Sequence, residues 1–361
     1  VVDSGEQVPL SGVVAQVFKT SADPFVGKLS YIRVYSGAFK SDTQIWNANK
    51  KEAERVGQVY VVTGKDQESV SELASGDIGA VAKLSSVVTG DTLGERSDPV
   101  TLPEFEFPAP VYQMAASPKS KADLDKITSA LARITEEDSS LRVTREPDTL
   151  EMLLGGLGDV HIEVAVEKMK RKFGVEIALN IPTVPYKETI TSTTSAEYRH
   201  KKQSGGHGQY GHVFLEMEPL PKSSGFEFGA KVVGGNVPRE YFPAVEKGVV
   251  KSLDEGSVAG YPVVDIRVVL YDGSSHPVDS SGMSFEIAGG YAFRKGLGLA
   301  QPVLLEPIMS AEIRVPDSFT GEVTGDLNTK RARILGMTPQ DGYTTIDAEV
   351  PQAEMLRYST D

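Results

Sequence analysis

Residues Gln203 to His212 read QSGGHGQYGH, and Gly206, Gly208 and Gly211 have the G-x-G-x-x-G spacing used by nucleotide-binding loops. With Val213 the stretch also fits the glycine-rich loop of protein kinases, whose backbone amides wrap around phosphates. A dinucleotide fingerprint needs a helix directly after the glycines, so that the pyrophosphate sits on its N-terminus. His212 to Met217 instead alternates as a strand does, which removes that reading. A kinase needs a V-A-I-K lysine, an H-R-D loop and a D-F-G aspartate, and the sequence has none of the three. No G-x-x-x-x-G-K-[ST] exists either, because Gly27-Lys28 and Gly64-Lys65 lack both the upstream glycine and the hydroxyl. Asp91 to Gly94 imitates the D-x-x-G of GTPases, but it lies in a β-rich region without a P-loop and reads as chance.

The remaining use for such glycines is to bend a loop sharply and bring backbone close to a partner. Around them stand Arg199, Lys201 and Lys202, the rings of Tyr198 and Tyr210, and three histidines, with no acidic residue between Tyr198 and His212. Cations, rings and flexible backbone together suit RNA phosphates and bases. A solvated hairpin with buried tyrosines accounts for the same residues without a ligand. A metal site on His200, His207 and His212 is disfavoured, since neither strand nor helix spacing brings the three rings together.

These residues must be positioned by a chain of 361 residues, longer than one hydrophobic core supports, so roughly two to four domains are expected. A hydrophobic content of 40% and a charged content of 24% are those of globular structure, and no apolar run is long enough for a bilayer. No signal-peptide pattern opens the sequence, and the absence of cysteine excludes disulfides and thiolate metal sites, so a cytoplasmic protein without a metal centre is expected. The net charge of −13 has the wrong sign for coating nucleic acid non-specifically, so any RNA contact must come from local patches.

Residues 6 to 98 read as all-β, with short apolar runs at 12–18, 28–34 and 59–62 between Gly, Asp and Ser turns, and a small barrel is the natural closure. Pro99, Pro103, Pro108 and Pro110 then mark a stiff linker. From 108 to 182 the order is strand, helix, strand, strand, helix, strand, a ferredoxin-like split βαβ unit. Its first helix has Ser120 and Asp123 in capping-box spacing and a stripe of Leu124, Ile127, Leu131 and Ile134. Its second carries Ile162, Val166, Met169 and Phe173 on one face and stops at Gly174, followed by alternating Val175, Ile177, Leu179 and Ile181. From 184 to 302 we expect strands at 212–217 and 263–270 and helices at 238–253 and 279–295, with the glycine-rich stretch and 272–281 in loops. From 303 a strand with Met309, Ala311, Ile313 and Val315 leads to a helix ending at Gly336, then to a strand with Ile346, Ala348 and Val350. Pro351 fits the first turn of a second helix carrying Ala353, Met355 and Leu356, and the ferredoxin-like series then stops incomplete.

Five stretches resemble the translation factor family elongation factor G, in that family's order. They are KSKADLDKITSALARITEEDSSLRV at 119–143, GLGDVHIEVAVEKMKRKFGVE at 156–176, KKQSGGHGQYGHV at 201–213, YDGSSHPVDSSGMSF at 271–285 and PDSFTGEVTGDLNTKRARILGM at 316–337. The resemblance implies a multidomain β and α+β protein. A β-barrel domain would occupy 1–100, ferredoxin-like α/β-plait domains 101–183 and, incompletely, 303–361, and a ribosomal-S5-like α+β tip domain 184–302. It implies the ribosome-contacting, C-terminal part of a translational GTPase that promotes movement of transfer RNA and messenger RNA at the decoding site. The alternative is a paralogue acting in ribosome recycling or protection. Partners would be ribosomal RNA and proteins, with no membrane, and the chain would be a monomer.

The family's first domain, a P-loop GTPase, has no counterpart in these residues. GTP and magnesium are therefore expected only through that domain, with no catalytic residue and no activity in this chain alone. Contacts would come from two tip loops, one of Ser204, Gly205, Gly206, His207, Gly208, Gln209 and Tyr210, the other of Ser274, Ser275 and His276. Basic patches at Arg199, Lys201 and Lys202 and at Lys330, Arg331 and Arg333 would add charge, although cations at the second patch also suit a helix C-terminus. His276 falls on the family's tip histidine, and Asp272 and Asp279 beside it in sequence would favour its protonated form. His207, Pro277 and Gly282 stand where the family's main members usually carry a basic residue, Glu and Glu, which points to a divergent paralogue.

Overall fold

The computed structural model describes residues 12–23, 27–203 and 208–360, which divide into two compact units, Val1–Thr183 with Met355–Asp361 and Val184–Glu354. In the first unit, strands β1 (Val14–Asp23), β2 (Gly27–Ser36), β3 (Ala38–Lys40), β4 (Gln44–Asn47), β5 (Glu52–Arg55), β6 (Val59–Thr63), β7 (Asp66–Val70), β8 (Glu72–Ala74), β9 (Ile78–Ala82) and β10 (Thr92–Gly94) come first. Eight of them form one sheet in the order β5-β4-β10-β1-β2-β9-β6-β7, and β3 pairs with β8 as a separate ribbon. Alternation explains the core: on β2, Ile32 and Val34 are buried with Val17, Leu73 and Leu93, while Arg33 and Tyr35 face outward, the guanidinium 5.3 Å above the ring.

The same unit continues with β11 (Tyr112–Pro118), α1 (Leu124–Glu137), β12 (Arg142–Arg145), β13 (Met152–Gly156), α2 (Asp159–Phe173) and β14 (Ile177–Asn180). The antiparallel order β12-β13-β11-β14 is the ferredoxin-like one. Both helices bury their expected stripes except at one end. Leu124 is 60% exposed, because a 3-10 turn at Lys121–Asp123 rotates the start of α1 away from the sheet. The capping box is also not formed, since the Ser120 hydroxyl bonds the Asp123 carboxylate at 2.6 Å rather than a backbone N–H. Gly174 ends α2 in the left-handed region, φ 64°, where only glycine is unstrained.

The second unit opens with β15 (Lys187–Ile190), β16 (Thr194–Lys202), β17 (Gln209–Pro219), β18 (Phe226–Ala230), α3 (Phe242–Leu253), β19 (Ile266–Ser274), α4 (Gly282–Leu299) and β20 (Pro302–Leu305). Its sheet runs β16-β17-β19-β18, with β18 parallel to β19 and the other pairs antiparallel. α3 and α4 cover one face and close a core of Val213, Leu215, Val249, Phe285 and Phe293. The two helices approach closely at Gly248, where a Cβ would lie 2.0 Å from the Glu286 carbonyl oxygen. β15 and β20 form a small ladder of their own, from Lys187 opposite Leu305 to Ile190 opposite Pro302. The strands reach further toward the glycine-rich end than expected: Gln209 to Gly211 and Asp272 to Ser274 lie in β17 and β19, where cross-strand pairing overrides their loop-like composition. α4 starts at Gly282 rather than Asp279 because the Ser281 hydroxyl accepts the Ser284 N–H.

Last come β21 (Ile308–Pro316), α5 (Thr320–Thr329), β22 (Arg333–Gln340), β23 (Tyr343–Pro351) and the short helix α6 (Gln352–Met355), the three strands forming a sheet in the order β21-β23-β22. The helix ends at Thr329, not at Gly336. Arg331 takes a positive φ of 59° to reverse the chain, and Gly336 lies at a register shift inside β22. Ile346 and Val350 are fully buried, whereas Met309 on β21 is 46% exposed. Among the described residues β21 pairs with β23 alone, while β11 is bonded on both sides. Amides of β21 that point away from β23 should therefore exchange with deuterium far faster than those of β11. Uniform slow exchange along β21 by NMR would mean that its outer edge is covered. No helix of the described residues is long and apolar enough to cross a membrane.

Candidate nucleic-acid interface

β17 and β19 run side by side to one end of the second unit, with His212 opposite Ser274. The segment after β19 folds back over the start of β17. There the Tyr210 N–H donates to the Asp279 carbonyl at 2.8 Å, the Ser280 hydroxyl donates to the Tyr210 carbonyl at 3.0 Å, and the Gly208 N–H donates to Asp279 Oδ1 at 2.9 Å. A Cβ at Gly211 would lie 2.7 Å from the Ser284 carbonyl oxygen, and one at Gly208 would lie 3.0 Å from the Asp279 carboxyl carbon. Two glycines of the G-x-G-x-x-G spacing thus let two parts of this protein touch, a role that needs no phosphate. Ser204, Gly205, Gly206 and His207 lie outside the described residues.

His276 is exposed on this end. Its Nδ1 accepts the Asp279 N–H at 3.2 Å and lies 3.3 Å from Asp279 Oδ2, and its ring centroid is 6.2 Å from that of Tyr210. With Nδ1 accepting, the neutral ring carries its hydrogen on Nε2, which makes Nε2 the donor available to a ligand. Asp272 does not flank this ring as expected. It accepts from Asn236 Nδ2 at 3.1 Å and from the Gly273 N–H at 2.8 Å, and these bonds hold its carboxyl below the usual range. The Ser275 hydroxyl donates to the Asn236 carbonyl at 3.2 Å, so the end of β19 and the segment after it are tied to the turn at Asn236 through both Asp272 and Ser275.

Beneath the tip runs a chain of polar contacts that sequence reading missed. Glu197 Oε2 lies 3.2 Å from His212 Nε2, His212 Nδ1 lies 3.2 Å from Ser274 Oγ, and Ser274 Oγ lies 2.8 Å from the Tyr210 hydroxyl. It braces three strands rather than presenting a nucleophile, because the Ser274 hydroxyl is bonded on both sides and His212 is buried. Only the cross-strand register brings these four residues together, and in sequence they look unrelated. Gln209 is likewise held across the ladder, its Oε1 2.9 Å from His200 Nε2. Tyr198 is committed to packing, stacked on Tyr291 of α4 at 4.9 Å. Arg199 and Lys201, opposite His212 and Tyr210, fall by strand alternation on the other face of the sheet, exposed and without an ion-pair partner among the described residues. Lys202 ends the same strand, also exposed.

The second expected patch is elsewhere in the fold and largely neutralised. Arg331 bonds Glu306 at 2.7 Å and Glu354 at 3.1 Å, Lys330 lies 3.9 Å from Asp326, and Arg333 lies 3.7 Å from Glu349. The end of the sheet carrying His276, Tyr210, Arg199 and Lys201 therefore offers what nucleic acid needs: donors for phosphate oxygens and base edges, next to uncompensated cations.

Four family models match successive parts of the chain: Elongation factor G domain 2 at residues 12–96, Elongation Factor G domain III at 107–181, Elongation factor G domain IV at 182–301 and Elongation factor G C-terminus at 303–361. A crystal structure of a protein from Thermus thermophilus is similar to the chain, with 37% identity and a TM-score of 0.78 over 96% of this chain. The match covers 52% of that protein, so the chain spans about half its length.

Proposed function

Since the chain belongs to the elongation factor G family, over that family's domains 2, III and IV and its C-terminus, we propose that it is the ribosome-contacting part of a translational GTPase that promotes movement of transfer RNA and messenger RNA. The observation that carries this reading is the build of the second unit. β16 and α4 both run from the β15–β20 ladder to the His276 end, a reach of roughly 27–30 Å for nine extended or eighteen helical residues. An arm of that length with donors and cations at its end suits insertion into a crowded RNA site. Partners are then ribosomal RNA and proteins and the paired transfer and messenger RNAs, met in the cytoplasm by a monomer.

GTP and magnesium belong to a domain outside these residues. The sequence holds no P-loop, and no group of three or more His, Cys, Asp or Glu side chains among the described residues could hold a metal ion. The residues present do not fit a GTP–magnesium site.

The test uses His276→Ala in a protein that also carries the GTPase domain. Losing one donor to RNA should slow translocation about tenfold and leave GTP hydrolysis within about twofold, read by rapid kinetics on ribosomes. An equal loss of both rates would mean a folding defect. Unchanged translocation with impaired subunit splitting would favour the alternative of a paralogue acting in ribosome recycling.

A further inference from the structure

A second concentration of charge lies in the first unit, in a cavity of about 400 Å³ bounded by β1, the end of α1 and the outer turns of α2. Two carboxylates line it, and both are used internally. Glu137 accepts the Ala22 N–H at 2.5 Å and the Ser21 hydroxyl at 3.4 Å, and is paired with Lys172. Asp138 is 2.9 Å from His161 Nε2 and accepts the Ser140 N–H at 3.0 Å. Burial pushes the Asp138 carboxyl up, but its bonds to Ser140 and His161 outweigh this and leave it below the usual range. The His161 ring is equally committed, since its Nδ1 accepts the Leu157 N–H at 3.1 Å.

With the acids occupied, three cations around the cavity have no ion pair or side-chain hydrogen bond among the described residues: Lys19 on β1, and Lys168 and Arg171 on α2. Lys168 and Arg171 are three residues apart and so share a helix face. Proximity to the C-terminus of α2 accounts for cations on that helix, where Lys170 also pairs outward with Glu176 at 3.2 Å. It does not account for Lys19, which arrives from a different domain of the unit. The four cations of the lining, Lys19, Lys168, Arg171 and Lys172, outnumber its two carboxylates, Glu137 and Asp138, and in a chain of net charge −13 such an excess of positive charge stands against the overall field and favours a further anion.

We propose that this cavity between β1 and α2 binds a phosphate group, through Lys19, Lys168 and Arg171. Its size admits a ligand as large as a small phosphorylated molecule, and its open side admits the phosphodiester of an RNA strand. The site is independent of the His276 end and stands or falls separately from the proposed function.

The chain should be titrated with tripolyphosphate by calorimetry and with a fluorescent ten-nucleotide single-stranded RNA by anisotropy, at low salt. The wild type should bind tripolyphosphate saturably. The double variant Lys168→Ala/Arg171→Ala should weaken it by about tenfold or more and Lys19→Ala by about threefold, while Lys170→Ala changes it less than about twofold. Thermal melts of each variant keep misfolding apart from lost binding. If RNA competes with tripolyphosphate and its salt slope falls by about 0.7 per cation removed, the phosphate is that of an RNA backbone. If tripolyphosphate alone depends on the three cations, the ligand is a free phosphoanion. Absence of saturable tripolyphosphate binding overturns the proposal, and so does an equal loss in Lys170→Ala.

Discussion

Glu188→Gln should destabilise the second unit by about 3 kcal/mol or more at neutral pH, measured by denaturant unfolding. The Glu188 side chain is fully buried, and its two oxygens accept five backbone N–H groups: Ser257 at 2.6 Å, Val258 at 2.9 Å, Ala259 at 2.8 Å, Gly260 at 3.0 Å and Tyr261 at 3.2 Å. An amide keeps one acceptor and turns its other atom into a donor facing donors, which orphans at least two of these N–H groups. Burial pushes the Glu188 carboxyl up, but the N–H groups of Ala259, Ser257, Val258 and Tyr261 outweigh it and hold the group below its ordinary value. The unfolded chain therefore takes up the proton first as pH falls. The stabilisation is complete above the unfolded value of about 4.3 and disappears as pH drops through the lower folded value. The gap between wild type and variant should thus be widest above about pH 5 and narrow toward about pH 3. A constant gap across that range, or one below about 1 kcal/mol at neutral pH, would rule out the carboxylate as the loop's organiser.

The second large effect is steric. Gly248→Ala puts a methyl group 2.0 Å from the Glu286 carbonyl oxygen, and backbone on α4 cannot rotate aside as a side chain could. The helices must separate, which loosens Val245, Val249, Phe285 and Phe293 together and should cost about 3 kcal/mol. Gly298→Ala, in α4 itself, meets nothing within 4 Å and should instead stabilise by up to about 1 kcal/mol, because alanine loses less chain entropy in a helix. Paired unfolding curves of the two variants check both signs at once. Equal midpoints would show that α3 and α4 can slide to make room.

Local signals made much of this fold legible beforehand. The stripe of Ile162 and Met169 with Gly174 behind it defines α2 completely, because every term that matters lies within a few turns of helix. Alternation and turn residues similarly mark the β-rich start. What stayed hidden depends on partners far along the chain. The ladder of β17 and β19 claims Gln209 to Gly211 and Asp272 to Ser274, although glycine and polar residues there read as loop. Glu188 looks like any surface glutamate until residues 257–261 wrap around it. Arg331 reads as a free cation because Glu306 and Glu354 belong to other elements. At the candidate site, the nearness of the two segments followed from the family resemblance, whereas the Glu197–His212–Ser274–Tyr210 brace exists only through register.

The β15–β20 ladder also determines how the arm responds to force. Its two strands are antiparallel, and the chain passes into the arm along one and out along the other, so Lys187 and Leu305 sit together at one end. Tension that draws those two ends apart peels the ladder one rung at a time, the weak direction for hydrogen-bonded strands. A push or pull on the tip along the strands loads both legs in the same sense and leaves the rungs unstressed. The arm is therefore a strut that is stiff along its length, while a sideways tug on its two legs meets the β15–β20 rungs singly and is resisted at Glu188, which is also bonded to residues 257–264.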